Sequence, residues 1–187
     1  MLTPAQKQNL LRVARTALTA LYADDSPTAV IPTGMEEIIC GYSGVFVSLH
    51  VAEKLRGCIG NLNATAPLPE LIVEMAQAAA RHDPRFTPLR TEELGEVVIE
   101  ISLLHAMAVV HAPHEVAIGR DGLMVRRGEK HGLLLPQVAA KRNWDAITFL
   151  EQTCRKADLS PEAWKDSNTE VLRFRAEVFS DHTLENA

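Results

Sequence analysis

No stretch of this 187-residue chain approaches the roughly 20 consecutive apolar residues a membrane-spanning helix needs, because Gly, Pro or a charge interrupts every apolar run. A membrane span is not expected. The opening segment, MLTPAQKQNLLRVARTAL, carries polar and charged residues throughout, so it lacks the apolar block of a signal peptide. Cysteine is scarce as well. Cys40, Cys58 and Cys154 are odd in number, form no CxxC pair and have no histidine at metal-ligand spacing. Neither a disulfide framework nor a zinc site is expected from that pattern, and free thiols fit a reducing, cytoplasmic compartment. Excess positive charge is missing too: the formal net charge is −5, which argues against general binding to nucleic acid or an anionic membrane. No phosphate loop, dinucleotide fingerprint, nucleophile elbow or HExxH is present. The sequence therefore names no cofactor.

What is there is a chain of one-domain size, 47% hydrophobic and without repeats. Leu10, Leu11, Val13, Ala14, Ala17, Leu18 and Leu21 recur at helical spacing, which predicts a helix from Pro4 to Tyr22. Ala23 to Met35 reads as loop. From Gly44 the pattern alternates, with Val45, Val47, Leu49 and Val51 on one side, and a second strand carries Leu55, Gly57 and Ile59 against Arg56, Cys58 and Gly60. Thr65 is placed to cap a helix with Leu68, Leu71, Ile72, Met75 and Ala79 inward, ended at Asp83-Pro84. A strand from Val97 to Leu104 carries Glu100. Asp121-Gly122 predicts a hairpin over Val116 to Val125. A short strand follows to Pro136, then a helix capped by Asn143 with Trp144, Ile147, Leu150, Cys154 and Ala157 inward, and a closing strand with Val171, Phe174, Ala176 and Val178. Strands joined by hairpins with helices between them indicate an α+β fold with a mostly antiparallel sheet.

Register decides where the central thiol points. A three-residue loop, Ala52-Glu53-Lys54, pairs Val51 with Leu55 and Val47 with Ile59, and puts Ser48 opposite Cys58 and His50 opposite Arg56. A thiol, an imidazole, a hydroxyl and a guanidinium then share one patch, the setting in which a cysteine becomes a nucleophile. Gly57 and Gly60 leave room for a ligand or another backbone to approach. A buried, inert cysteine beside a strand bulge explains the same residues. Asp83 is read as a partner of Arg85 or of nearby amides, and His82 as a partner of helix-terminal carbonyls. Glu100 either faces solvent or orients Arg56 or Arg85. Gln137 offers a side-chain amide after a strand end. Cys154 reads as core, and His105, His111 and His114 as loop residues without a metal constellation.

Leu55-Arg56-Gly57-Cys58-Ile59-Gly60, Asp83-Pro84-Arg85-Phe86, Ile99-Glu100-Ile101-Ser102, Gly132-Leu133-Leu134-Leu135-Pro136-Gln137-Val138, Trp144-Asp145, Phe149-Leu150 and Cys154-Arg155-Lys156-Ala157 together resemble the AMMECR1 family across nearly the whole chain. Asp158 stands where that family's glycine is expected, and aspartate tolerates the left-handed conformation. The resemblance implies an α+β fold with a larger and a smaller lobe and a concave surface near Arg56 and Cys58. It also implies a modification pathway shared with Memo-like and radical-SAM proteins. The reading that follows is an enzyme or enzyme component with Cys58, His50 and Glu100 as catalytic candidates. Arg56, Gly57, Gly60, Asp83, Arg85 and Gln137 are its binding candidates. A small molecule, peptide or specific RNA is the expected partner; a non-enzymatic binding module for a peptide, RNA or partner protein is the alternative, and a purely architectural motif is the third reading.

Overall fold

The computed structural model describes residues 1–23, 42–63 and 65–181. Within them, helices and antiparallel strands make an α+β fold. Except for Ala23, the loop expected from Ala23 to Met35 lies outside the described residues, as does Cys40. The chain divides into two compact units, Met1–Leu103 with Glu177–Ala187, and Leu104–Ala176.

In the first unit, α1 (Pro4–Leu21) starts where the sequence places it. The Thr3 hydroxyl accepts the Gln6 N–H, and the Gln6 side chain accepts the Thr3 N–H in return, so two orphan donors of the helix start are satisfied. Leu10, Val13, Ala14, Ala17 and Leu18 of α1 are buried. They share one core with Val45, Val47 and Leu49 of β1 (Tyr42–Val51) and Leu71, Ile72 and Met75 of α2 (Leu68–Arg81). Burial of such side chains stabilises by roughly 1.5–3 kcal/mol each. β2 (Lys54–Asn61) pairs with β1 and forms the edge of the sheet, and β1 has β3 (Val98–His105) as its other neighbour. α2 is preceded by Pro67 rather than capped by Thr65, and no side chain bonds its first turn. Pro69 in that turn needs no amide partner, which lowers the demand for a cap.

The second unit holds β4 (Ala108–Val109), β5 (Asp121–Arg127), β6 (Lys130–Leu134), α3 (Pro136–Lys141), α4 (Ala146–Lys156) and the first part of β7 (Glu170–Ser180). β5 lies between β7 and β6, and β4 pairs with β7. The hairpin expected at Asp121-Gly122 is not formed. Asp121 opens β5, and its carboxylate accepts the Ala117 N–H and the Arg120 Nε–H, each at 2.9 Å. The turn is made instead at Gly128-Glu129, between Arg127 and Lys130, with Gly128 at φ 56°. α4 is capped by Asp145, which accepts the Thr148 N–H at 2.7 Å, not by Asn143, which itself takes φ 52°. Ile147 is consequently half-exposed, while Phe149, Leu150, Thr153 and Cys154 face the core. Cys154 is fully buried, and burial raises its thiol pKa above the ordinary value. After α4, Asp158 adopts φ 56°, as expected for an aspartate in the glycine position.

Candidate functional site

The β1–β2 hairpin sets the site. Ser48 is opposite Cys58 and Val47 opposite Ile59, as the alternation predicts, but the turn that produces this register is different. Val51 pairs with Lys54, so only Ala52 and Glu53 form the turn, with φ of 47° and 62°. Two consecutive left-handed residues are the signature of the type I′ hairpin turn. Such a loop alone would invert the parity of β2. A bulge restores it: Leu49 pairs with Gly57 and His50 with Leu55, leaving Arg56 as the extra residue. His50 therefore lies opposite Leu55 and not Arg56. Leu55, expected on the core face, is 38% exposed.

Gly57 and Gly60 are occupied by the fold itself. A Cβ at Gly57 would stand 2.1 Å from the Ala79 carbonyl oxygen of α2, and one at Gly60 would stand 2.1 Å from the Phe46 ring on the facing strand. The close approach of another backbone, one of the two readings of Gly57, is the one observed. Neither glycine opens space for a ligand on the side where its Cβ would lie.

An edge strand leaves alternate backbone groups without a strand partner. Here the segment after α2 supplies them. The Cys58 N–H donates to Asp83 Oδ2 at 2.8 Å, and the Cys58 carbonyl accepts from Arg85 Nη2 at 3.2 Å. Because the Cys58 amide points away from β1, Ser48 and Cys58 form a non-hydrogen-bonded pair, whose side chains come closest. The Ser48 hydroxyl accordingly donates to Cys58 Sγ at 3.2 Å. Ser48 is buried and Cys58 is partly exposed.

Asp83 is the most constrained carboxylate of this group. Its side chain is 2% exposed and bonds Arg85 Nε, Arg85 Nη2, the Arg85 N–H and the Cys58 N–H. The hydrogen bond from Arg85, opposed by burial and helped by the two amides, lowers its pKa to about 2. The Arg85 pKa is raised in turn, first by Asp83 and more weakly by Cys58. The partnership of Asp83 with Arg85 and nearby amides is as the sequence suggested.

Arg56 is held in the same manner by a residue the sequence reading missed. Its Nε and Nη2 bond the two oxygens of Glu93 at 2.8 and 3.0 Å, Nη1 donates to the Thr87 carbonyl at 2.6 Å, and Nη2 also reaches the Pro88 carbonyl at 3.1 Å. Arg56 holds the Glu93 carboxyl down at about 2. The carboxylates that orient the two arginines are thus Glu93 and Asp83, in place of Glu100. Glu100 lies in β3, half-buried between Ile99 and Ile101. His50 makes no hydrogen bond to Cys58, and its Nε2 is buried without a partner among the described residues. Gln137 belongs to the second unit, in the first turn of α3. No group of three or more His, Cys, Asp or Glu side chains suited to a metal occurs among the described residues. No helix among them is long and apolar enough to cross a membrane.

Arg56, Arg85, Phe86, Thr87, Arg90 and Glu93 line an open depression of about 510 Å³ in the first unit. Cys58 is not part of that lining but touches it through its carbonyl bond to Arg85. The site therefore combines a partly exposed thiol with a hydroxyl donor and a neighbouring concave, arginine-rich surface.

The AMMECR1 family model matches residues 11–179. A protein of Thermococcus onnurineus is 40% identical over 182 residues, covering 92% of this chain and 88% of its own. One of Methanothermobacter thermautotrophicus is 38% identical over 180 residues, covering 93% of each. The crystal structure of an uncharacterized protein from Pyrococcus horikoshii superimposes with a TM-score of 0.85 at 36% identity, covering 94% of this chain and 91% of that one.

Proposed function

Since the chain belongs to the AMMECR1 family, we propose that it is an enzyme or enzyme component of a modification pathway that acts through the Cys58 thiol, with Arg85 holding an anionic group of its substrate. One observation carries this reading. Cys58 is partly exposed at a sheet edge, its Sγ receives the Ser48 hydroxyl, and its carbonyl accepts from the Arg85 guanidinium, whose position Asp83 fixes. A hydroxyl donor on the sulfur, a cation held at the same residue and partial exposure of that residue are features that suit a nucleophilic cysteine. Memo-like and radical-SAM proteins are the expected partners in such a pathway, and the chain itself is assigned no cofactor.

The test is alkylation of the native protein near neutral pH followed by peptide mapping of the cysteines. The reading expects Cys58 to react faster than a model thiol and Cys154 to be protected. Labelling of Cys58 at or below the rate of the model thiol would end the nucleophile reading.

A second reading, a non-enzymatic binding module for a peptide, specific RNA or partner protein, has its own support. Asp83, Arg56 and Glu93 all spend their hydrogen bonds on the fold, which suits a rigid recognition surface as well as a reaction centre. Under that reading Cys58→Ser retains partner capture in full.

A further inference from the structure

We propose that the depression lined by Arg85, Phe86, Thr87 and Arg90 binds the phosphate group of a small organic phosphate. This deepens the functional reading above and rests on it only for the idea that the ligand is a substrate. The inference comes from counting which polar groups of the lining are already committed and which are not.

Among the described residues Glu93 is the only carboxylate in the lining, and both its oxygens are engaged, one by Arg56 Nε and the other by Arg56 Nη2 together with the Arg90 N–H and Nε. Its charge is already matched by Arg56 and Arg90. Arg56 has four hydrogen bonds to Glu93, Thr87 and Pro88, which leave its guanidinium as a fixed floor. The other two arginines are different. Arg85 commits Nε and Nη2 to Asp83 and Cys58, while its Nη1 makes no hydrogen bond among the described residues. Among the described residues the Arg90 side chain makes one bond, Nε to Glu93 at 3.3 Å, which leaves both its Nη groups uncommitted there, and its side chain is 73% exposed. The Thr87 hydroxyl likewise makes no hydrogen bond among the described residues, since only the Thr87 carbonyl is used.

The uncommitted groups are therefore guanidinium donors from two residues and one hydroxyl. Among the described residues the lining carries three guanidinium groups against one carboxylate, with the Asp83 carboxylate paired to Arg85 outside it, in a chain whose net charge is −5. A ligand that answers several N–H donors at once must present several acceptor oxygens and negative charge. Phosphate does so with tetrahedral oxygens that two arginines can share, and planar guanidinium forks match it in pairs. A single carboxylate offers two oxygens in one plane and satisfies fewer of these donors.

The organic part has a place as well. Phe86 is partly exposed in the same lining, and the Arg85 guanidinium lies 5.4 Å from its ring centre. The pair presents a flat apolar and cationic surface next to the phosphate donors, suited to a planar or apolar substituent.

The experiment is a titration of isotope-labelled protein followed through backbone amide shifts of Phe86 to Glu93. Its probes are phenyl phosphate, inorganic phosphate, benzoate and phenol. The expected result is saturable binding of phenyl phosphate with shifts confined to that segment, weaker binding of inorganic phosphate, and still weaker binding of benzoate. Arg90→Gln, a change at an exposed side chain that leaves the Glu93–Arg56 pair in place, weakens phenyl phosphate by about ten-fold, the equivalent of one charged hydrogen bond of about 1.4 kcal/mol. Thr87→Val weakens it less. Absence of saturable shifts up to about 10 mM phenyl phosphate, a concentration well above a 1 mM dissociation constant, overturns the proposal. So does equal binding by the Arg90→Gln protein, or benzoate binding as tightly as phenyl phosphate. Phosphate binding together with slow Cys58 alkylation sinks the thiol reading alone; fast Cys58 alkylation without phosphate binding sinks this inference alone.

Discussion

The carboxylate of Asp83 accepts the backbone N–H of Cys58 at 2.8 Å. Through that bond the segment after α2 covers the exposed edge of β2, so two separated sequence motifs are parts of one structural device. Asp83→Ala removes a buried carboxylate and leaves the Cys58 amide, the Arg85 amide and the half-exposed Arg85 guanidinium without this acceptor. The expected loss is about 2–4 kcal/mol in urea unfolding, the range for removing one side of a buried charged cluster. A loss under about 1 kcal/mol would show that solvent replaces Asp83 freely.

Acid should loosen the same device. Arg85 and Arg56 hold the Asp83 and Glu93 carboxyls at about 2 in the folded protein, against about 4 in an unfolded chain. A depressed folded value means that these groups contribute stability above the unfolded pKa. The contribution fades as pH falls from about 5 toward the folded values near 2. Urea midpoints measured at descending pH should drop more steeply for the native protein than for Asp83→Asn, which has no charge to lose at that position. Parallel curves would remove Asp83 from the acid response.

The two glycines of the motif should behave differently. A Cβ at Gly57 meets a helix carbonyl, so Gly57→Ala must push α2 away from β2. At Gly60 the obstacle is the Phe46 ring, a side chain able to rotate. Overpacking against an unyielding neighbour costs about 1–3 kcal/mol or more. Thermal melts should therefore show a large drop for Gly57→Ala and a smaller one for Gly60→Ala, and the reverse order would contradict the packing described.

How much of this was legible in the sequence depended on the range of the interaction. Parity along β1 and β2 gave the Ser48–Cys58 pairing, because a one-residue error would have turned Ile59 outward. Parity is blind to how it is achieved, however: a three-residue loop and a two-residue turn plus a bulge at Arg56 leave Cys58 on the same side. Asp83 was readable as the partner of Arg85 because the two are neighbours in the chain. Glu93 was not readable as the partner of Arg56, since 37 residues separate them and nothing local marks the pair. Asp121-Gly122 misled because its turn chemistry is real in isolation; here the Asp121 side chain is drawn to Arg120 and the Ala117 amide instead.

The Ala52-Glu53 turn is open to improvement. Both residues hold positive φ without the side chains that favour it, at about 1 kcal/mol or more each relative to glycine or asparagine. Ala52→Asn with Glu53→Gly supplies the preferred type I′ pair and should raise stability by about 1 kcal/mol or more, seen as a higher melting temperature. An unchanged or lower value would mean that the bulge at Arg56, and not the turn, sets the hairpin geometry.

Cys58 and Cys154 provide a contrast between two thiols in one chain. Cys154 is fully buried in a core with Phe149 and Leu150, so Cys154→Ser puts a hydroxyl into an apolar place and should cost about 1–3 kcal/mol. Cys58 is partly exposed, and its backbone rather than its sulfur carries the bonds to Asp83 and Arg85. Cys58→Ser keeps both of those bonds and places an oxygen where the Ser48 hydroxyl already finds an acceptor, so the melting temperature should move little. Ser48→Ala tests the remaining link. If the Ser48 hydroxyl supports the reacting sulfur, its removal slows alkylation of Cys58 while that of Cys154 stays unchanged. A destabilised Cys58→Ser protein with a Ser48→Ala protein that labels at the native rate would make the sulfur a packing element of the edge strand. The phosphate titration would then be left as the measure of what this surface recognises.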